Sequence, residues 1–293
     1  MKYYVKKFPI MFQKETLFRL DENGVLMAKI PYTKNYEYSL ESITGFALKN
    51  VENYMDFDCR NKVLNQVNWL VENIDENGIW KNNFKLPFYN FNPPWVDGMG
   101  QGLAISLLIR AYQLTSNQEY LKTAIKAFSP FEKQIKDGGN LFIDKKRRVW
   151  IEECPVDPAS HILNGFIYAL FGVYDLYKIK QYDSARELWH KGIETLERNI
   201  DRYDLGFWSR HDLITEYPSE FGYHEIHIEQ LKALYMLTDI KKFKKYADRW
   251  QEYYNSSFFR NKANIKRGIA HYKKHGAVGL ARRYVEKKRW LRE

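Results

Sequence analysis

Residues 149–177 read VWIEECPVDPASHILNGFIYALFGVYDLY. The stretch opens as an aromatic, β-rich run, breaks at Pro155 and Pro158, and then turns into an apolar helix predicted over residues 158–177. Working outward, the same alternation repeats. Residues 97–115 (DGMGQGLAISLLIRAYQLT) carry a helical stripe of Ala104, Leu107, Leu108, Ala111 and Tyr112. Residues 61–74 place Val63, Val67, Leu70 and Val71 on one face, and Asn77-Gly78 stops them. Further helices are predicted over 119–128, 182–199, 222–237 and 241–254, with short aromatic segments at 78–84, 141–144 and 206–210 between them. Helix pairs joined alternately by short loops and longer aromatic β loops predict a mainly α chain. The expected architecture is an (α/α) barrel or toroid with short β hairpins in the inter-helix loops; a plain bundle would not need those segments. In such a ring the long loops gather at one end and line a cleft. Residues 17–30 (LFRLDENGVLMAKI) alternate around Asp21–Gly24 and predict an N-terminal hairpin.

The chain has 293 residues, 45% hydrophobic and 28% charged, which is enough for a sizeable core. It contains no run of 18 apolar residues and no signal-peptide pattern at its N-terminus, so a soluble, cytoplasmic placement is expected. Two cysteines, Cys59 and Cys154, exclude a disulfide framework or a four-cysteine zinc site. The formal net charge is +10, but residues 259–293 hold twelve Lys/Arg against two Asp/Glu, and the preceding 258 residues hold 34 of each. The charge is therefore a property of the tail. Three parts are expected: a β-hairpin segment over 1–37, the barrel over 38–258, and a basic helical tail over 259–293. The tail is read either as an amphipathic helix that touches anionic lipid or a polyanion, or as a solvated helix packed on the barrel by Tyr284, Trp290 and Leu291. No recognition motif for nucleic acid is present, and a homodimer is compatible with the sequence.

Several clusters could carry chemistry. Gly98-Met-Gly100-Gln-Gly102 lacks the lysine of a phosphate loop and reads as a close helix contact. His224 and His227 have helical ligand spacing, but no HExxH pattern or third carboxylate accompanies them, so no metal is expected. Glu152-Glu153-Cys154 end a strand, where alternation turns one of the two glutamates inward. Arg210-His211 place a guanidinium beside an imidazole, and Tyr223 brings a phenol to a helix start.

The blocks WVDGMGQGLAISLLIRAY (95–112), WIEECPVDPASHILNGFIY (150–168) and YHEIHI (223–228) resemble, in this order along the chain, blocks of the D-glucuronyl C5-epimerase C-terminal domain. The resemblance covers about residues 38–254. It implies an (α/α) barrel that inverts C5 of uronic acid residues in a polysaccharide such as heparosan, with no cofactor. Such chemistry removes a proton alpha to a carboxylate and returns one to the other face, so it needs acid/base groups on both faces and stabilisation of the carboxylate. Carried over residue by residue, the family's glutamate falls on Glu153, and its tyrosines fall on Cys154, His211 and Tyr223, the first two being departures. Asn164, Tyr168, Gln101, His224 and His227 are implied substrate contacts. His211 and Tyr223 are the expected opposed pair, assisted by Glu153 and the Cys154 thiol, with Arg210 or Lys85 on the uronate carboxylate. The first step is shared with β-elimination, so a polysaccharide lyase stays open, and the two departures leave room for a non-catalytic glycan-binding relative. The expected setting is bacterial, on a nascent capsule or exopolysaccharide.

Overall fold

The helices come in two kinds. In a computed structural model describing residues 3–4, 17–30, 35–85, 92–180, 182–215, 217–270 and 272–273, one kind is buried on nearly every side. These are α1 (Leu40–Asn50), α3 (Gly98–Thr115), α5 (Leu163–Lys180) and α7 (Phe221–Thr238). The other kind buries a single face: α2 (Phe57–Asn73), α4 (Gln118–Lys126), α6 (Asp183–Asn199) and α8 (Lys241–Asn255). A helix apolar all round needs neighbours all round, and an amphipathic one needs a neighbour on one side. The packing obeys this rule. The first kind stands side by side in the order α1–α3–α5–α7, and each is backed by the helix that follows it. This inner row with an outer row is the (α/α) barrel that the alternation predicts.

Each inner helix runs into its outer partner through a short turn, closed at Ser116 and Asp239 by left-handed residues whose N–H groups bond Tyr112 and Tyr235 carbonyls. Long connections lead back to the next inner helix. They carry the hairpins β4–β5 (Lys81–Asn82 with Trp95–Val96) and β6–β7 (Leu141–Ile143 with Val149–Ile151), and the bridged loop 203–220. All of them therefore meet at the N-terminal ends of the inner helices. The N-terminal strands β1 (Phe18–Leu20), β2 (Leu26–Lys29) and β3 (Tyr36–Glu37) form the predicted hairpin plus one strand. Gln66 of α2 ties this sheet down, accepting from Leu26 N–H at 2.9 Å and donating to the Gly24 carbonyl at 2.8 Å.

The glycines of 98–102 serve packing. A Cβ at Gly102 would sit 2.4 Å from Ala169 Cα, and one at Gly172 would sit 2.2 Å from the Gly102 carbonyl oxygen, so α3 and α5 approach backbone to backbone. Deeper along this contact Asp175 accepts from Arg110 (2.6 Å), Ser106 (2.7 Å) and Tyr4 (2.5 Å), all buried or half-buried. Tyr3 stacks on Tyr168 and lies under the Arg110 guanidinium, so residues 3–4 pack inside the inner row.

Two expectations are corrected. The helix predicted from residue 158 begins at Leu163, because His161 is left-handed (φ 51°) and its N–H is captured by the Glu152 carboxylate. The boundary at 258/259 falls inside a helix over residues 257–270. That helix buries Ala263 and ties to the barrel through an Arg267–Glu220 ion pair at 2.7 Å. Tyr284, Trp290 and Leu291 lie outside the described residues. No helix among the described residues is long and apolar enough to cross a membrane.

Candidate active site

The two glutamates that follow β7 part ways, continuing the alternation of the strand they leave. Glu152 is fully buried, and its carboxylate accepts from His161 N–H (2.8 Å) and Ser160 Oγ (3.1 Å) and meets His161 Nδ1 at 2.5 Å. The His161 ring is itself stacked on Trp150. Glu152 thus organises the approach to α5. Glu153 is half-buried, turned the other way, with Oε2 sheltered and unpartnered. It lies over the first turn of α5 at Gly165, where a Cβ would come within 2.1 Å of that oxygen. The glycine is required by the glutamate.

Around Glu153 gather Glu41 from the first turn of α1, Asp97 at the N-cap of α3, and Tyr223 from the first turn of α7, close enough to bias one another's protons. Burial, with Asp97 beside it, raises the Glu41 carboxyl to about 8. Burial, with Asp97 and Glu41 as neighbours, raises Glu153 well above the carboxylate range. Burial also lifts Asp97 to about 6 against the pull of its cap bond from Gly100 N–H, 2.8 Å long. The Tyr223 phenol is driven well above 10, by burial first and then by Glu41 and Glu153. His211 moves the opposite way: burial lowers it, against the pull of Asp212 and Glu220. Removal from water disfavours the charged form of each group, so at neutral pH a bare His211 imidazole shares this end of the barrel with protonated Glu41 and Glu153, while Asp97 stays largely ionised. Glu41, Glu153, His211 and Tyr223 all keep some exposure. They are sheltered but not sealed.

The His211 and Tyr223 rings lie 4.7 Å apart, tilted by 59°. A sugar held between two groups needs two contact distances of about 3.5–4 Å each. The expected arrangement, one group on either face of a sugar, is therefore corrected: the two rings touch and form one wall.

Other predicted residues are placed differently. Cys154 is fully buried in an apolar cluster with Trp95 and Ile162, and burial beside Glu153 pushes its thiol well above 9. It is a neutral space-filler, which corrects its catalytic reading. Gln101 turns away from the cleft and donates to the Gly78 (2.6 Å) and Ala127 (2.9 Å) carbonyls as a strut. His224 and His227 have no exposed surface, and Tyr168 is equally buried beneath the cleft against Tyr3. All four are corrected as direct substrate contacts for the same reason, the absence of an accessible face. Asn164 is buried at the start of α5, with Oδ1 unpartnered and its amide on Met99 sulfur at 3.4 Å. Arg210 is half-buried, bridged to Pro218, with its Nε sheltered and unpartnered. Lys85 is exposed. Among the described residues no group of three or more His, Cys, Asp or Glu side chains is arranged to hold a metal ion.

The family model described as D-glucuronyl C5-epimerase C-terminus matches residues 74–252, more than half of the chain. The chain belongs to this family. It is 31% identical over 212 residues to the D-glucuronyl C5-epimerase of Caenorhabditis elegans, a match covering 63% of this chain and 33% of that protein. It is 28% identical over 177 residues to an uncharacterized protein of Methanocaldococcus jannaschii, covering 59% and 57% respectively. The chain thus spans about a third and somewhat over half of these two relatives. In fold it is similar to a family 76 glycoside hydrolase, a mannosidase from Bacteroides thetaiotaomicron, with a TM-score of 0.51 at 15% identity over 80% of this chain and 63% of that one. Asp97, Glu153, His211 and Tyr223 lie inside the span matched to the C5-epimerase family, whereas Glu41 lies before it. Sequence reasoning missed Glu41, which looks like an ordinary acidic first-turn residue. Its shelter comes from packing beside the buried stretch Ser42–Gly45, which residue order alone does not record.

Proposed function

We propose that the protein is a uronate C5-epimerase acting on D-glucuronate and L-iduronate residues within a glycan chain. The carrying observation is the pairing, at one end of the barrel, of an imidazole that burial keeps neutral with carboxyls that burial keeps protonated. A base without its proton and an acid with one, present at the same pH, are what a turnover needs. His211 takes the C5 proton, and the electron pair of the broken C–H bond passes into the substrate carboxylate. Glu153 returns a proton to C5 from the other face, and the electron pair flows back to form the new C–H bond. The Tyr223 phenol, in contact with the His211 ring, sets its orientation and lies along its route for proton exchange. Ionised carboxyls would repel a uronate; protonated Glu41 instead donates a hydrogen bond to the carboxylate oxygens as charge builds on them.

The test is incubation of the protein with a heparosan-type polymer in heavy water, followed by NMR. Deuterium entering C5 together with L-iduronate signals, without chain cleavage, is expected. An absorbance rise from an unsaturated uronate would replace this reading with a lyase, and binding without exchange would replace it with a glycan-binding role. Undiminished exchange in His211→Ala or Glu153→Gln would remove the residue assignments.

A further inference from the structure

Ser209 stands at the centre of a buried network. Its Oγ lies 2.7 Å from His224 Nδ1, 2.9 Å from His227 Nδ1 and 2.9 Å from Ser219 Oγ. The protons of this network can be placed by elimination. His224 Nε2 lies 3.0 Å from the Trp250 carbonyl oxygen, which only accepts, so His224 carries its proton on Nε2 and leaves Nδ1 bare. That bare nitrogen accepts from Ser209 N–H at 3.2 Å and from the Ser209 hydroxyl. The hydroxyl has one proton, now committed to His224. Its oxygen therefore accepts from Ser219 and from His227, so His227 carries its proton on Nδ1 and leaves Nε2 bare. Burial holds both His224 and His227 in the neutral form that this assignment needs, His224 at about 3 and His227 well below 6.5.

His227 Nε2 is buried without a partner, and so is His211 Nδ1. The two imidazoles are close enough for His211 to bias the proton of His227. His227 is one helical turn after Tyr223, on the same face of α7, and the His211 ring rests against Tyr223. Ser209 lies against His224 and His227 of α7, and His211 follows it by two residues. An unpaired buried nitrogen on each of two imidazoles within electrostatic reach of one another calls for an explanation beyond packing.

We propose that His227 is a positioning residue for His211: the Ser209 network fixes the Nδ1–H tautomer of His227, and its bare Nε2 accepts from His211 Nδ1–H once substrate closes the site. His211 Nε2 is then the lone pair presented to C5. Catalytic hydrogen bonds of this kind commonly tighten only when substrate is bound. The inference rests on the epimerase reading for its consequence, but not for its tautomers.

The experiment has two arms. In the resting protein, imidazole ¹⁵N shifts are expected to show Nδ1 protonated and Nε2 bare at both His227 and His211; a proton on Nε2 of His227 overturns the proposal. In the second arm, His227→Asn keeps an amide at the Nδ1 position for Ser209 and loses the Nε2 acceptor, while His227→Gln keeps a group at the Nε2 position. C5 exchange at saturating polymer is expected to fall by about a hundredfold in His227→Asn, with KM little changed, and to recover to within about tenfold of wild type in His227→Gln. The reverse order, with Asn active and Gln inactive, overturns the proposal by making His227 a strut for Ser209. Equal losses in two variants that melt like the wild type also overturn it. Absence of exchange in the wild type would refute the epimerase reading instead, and the ¹⁵N arm would still decide the tautomers.

Discussion

Gly165→Ala offers a direct test of the place given to Glu153. The new Cβ would stand 2.1 Å from Glu153 Oε2, 2.7 Å from its Cβ and 3.0 Å from its Cδ. Reaching an ordinary contact of 3.4 Å requires the carboxylate oxygen to retreat by about 1.3 Å. Rotation of the side chain cannot relieve the clash at Cβ, so the main chain after β7 must move as well. It is pinned on its other side, since Glu153 O accepts from Gly98 N–H at 3.0 Å. Overpacking of this kind costs about 1–3 kcal/mol, and alanine in a helix returns about 1 kcal/mol relative to glycine. The net destabilisation is therefore about 0–2 kcal/mol, a fall in melting temperature of at most about 8 °C. A displacement near 1 Å in the reacting geometry costs about a hundredfold in rate, or about 2.7 kcal/mol of transition-state stabilisation. The expected protein is folded and nearly inactive, as read by calorimetry and by C5 deuterium exchange. In a Glu153→Ala background the same substitution should cost little further activity, because the group it displaces is gone. A folded Gly165→Ala protein with undiminished exchange would refute the placement of Glu153 at the reacting carbon.

Asp175→Asn leaves the Arg110 charge without its counterion in the interior of the α3–α5 contact, where the pair is 2.6 Å apart and nearly unexposed. Denaturant unfolding should show a loss of about 3–5 kcal/mol. Cys154→Ala should leave C5 exchange within about threefold of wild type, since a neutral thiol packed on Trp95 and Ile162 takes no part in proton transfer; a loss of a hundredfold or more in a normally melting protein would restore a chemical role. Glu41 has an ordinary value of 4.5 and stands at about 8 in the folded chain, so the native state holds more protons than the unfolded one between those limits. Its contribution to stability should fall as pH rises through that window, and melting curves of Glu41→Gln should lose that part of the slope while gaining stability relative to wild type near pH 9. An unchanged slope would contradict the burial of that carboxyl.

The architecture was largely legible from the chain. Val63, Val67 and Leu70 recur at helical spacing, residues 104–112 carry a broad apolar stripe, and aromatic segments separate the pairs; these patterns are local and survive without knowledge of neighbours. The start of α5 was not legible, because the Glu152 carboxylate captures the N–H that would have begun the helix sooner. Of the residues given roles in the proposed reaction, the chain spacing and the family blocks singled out Glu153, His211 and Tyr223. They did not separate Cys154 and Gln101, which turn toward the core, from residues that line the opening. A motif records which residues accompany one another, and it does not record which way each side chain points.

By itself the sequence determined the helix periods, the charge confined to the tail and the family blocks, since each depends only on residue order. Tertiary structure alone decided that Glu41, far from the matched blocks, stands beside Glu153, and that His211 and Tyr223 share one wall. It also decided which groups lose water, and hence which carry protons. Solvent exclusion is a property of the space between helices, and that space exists only once α1, α3, α5 and α7 have packed.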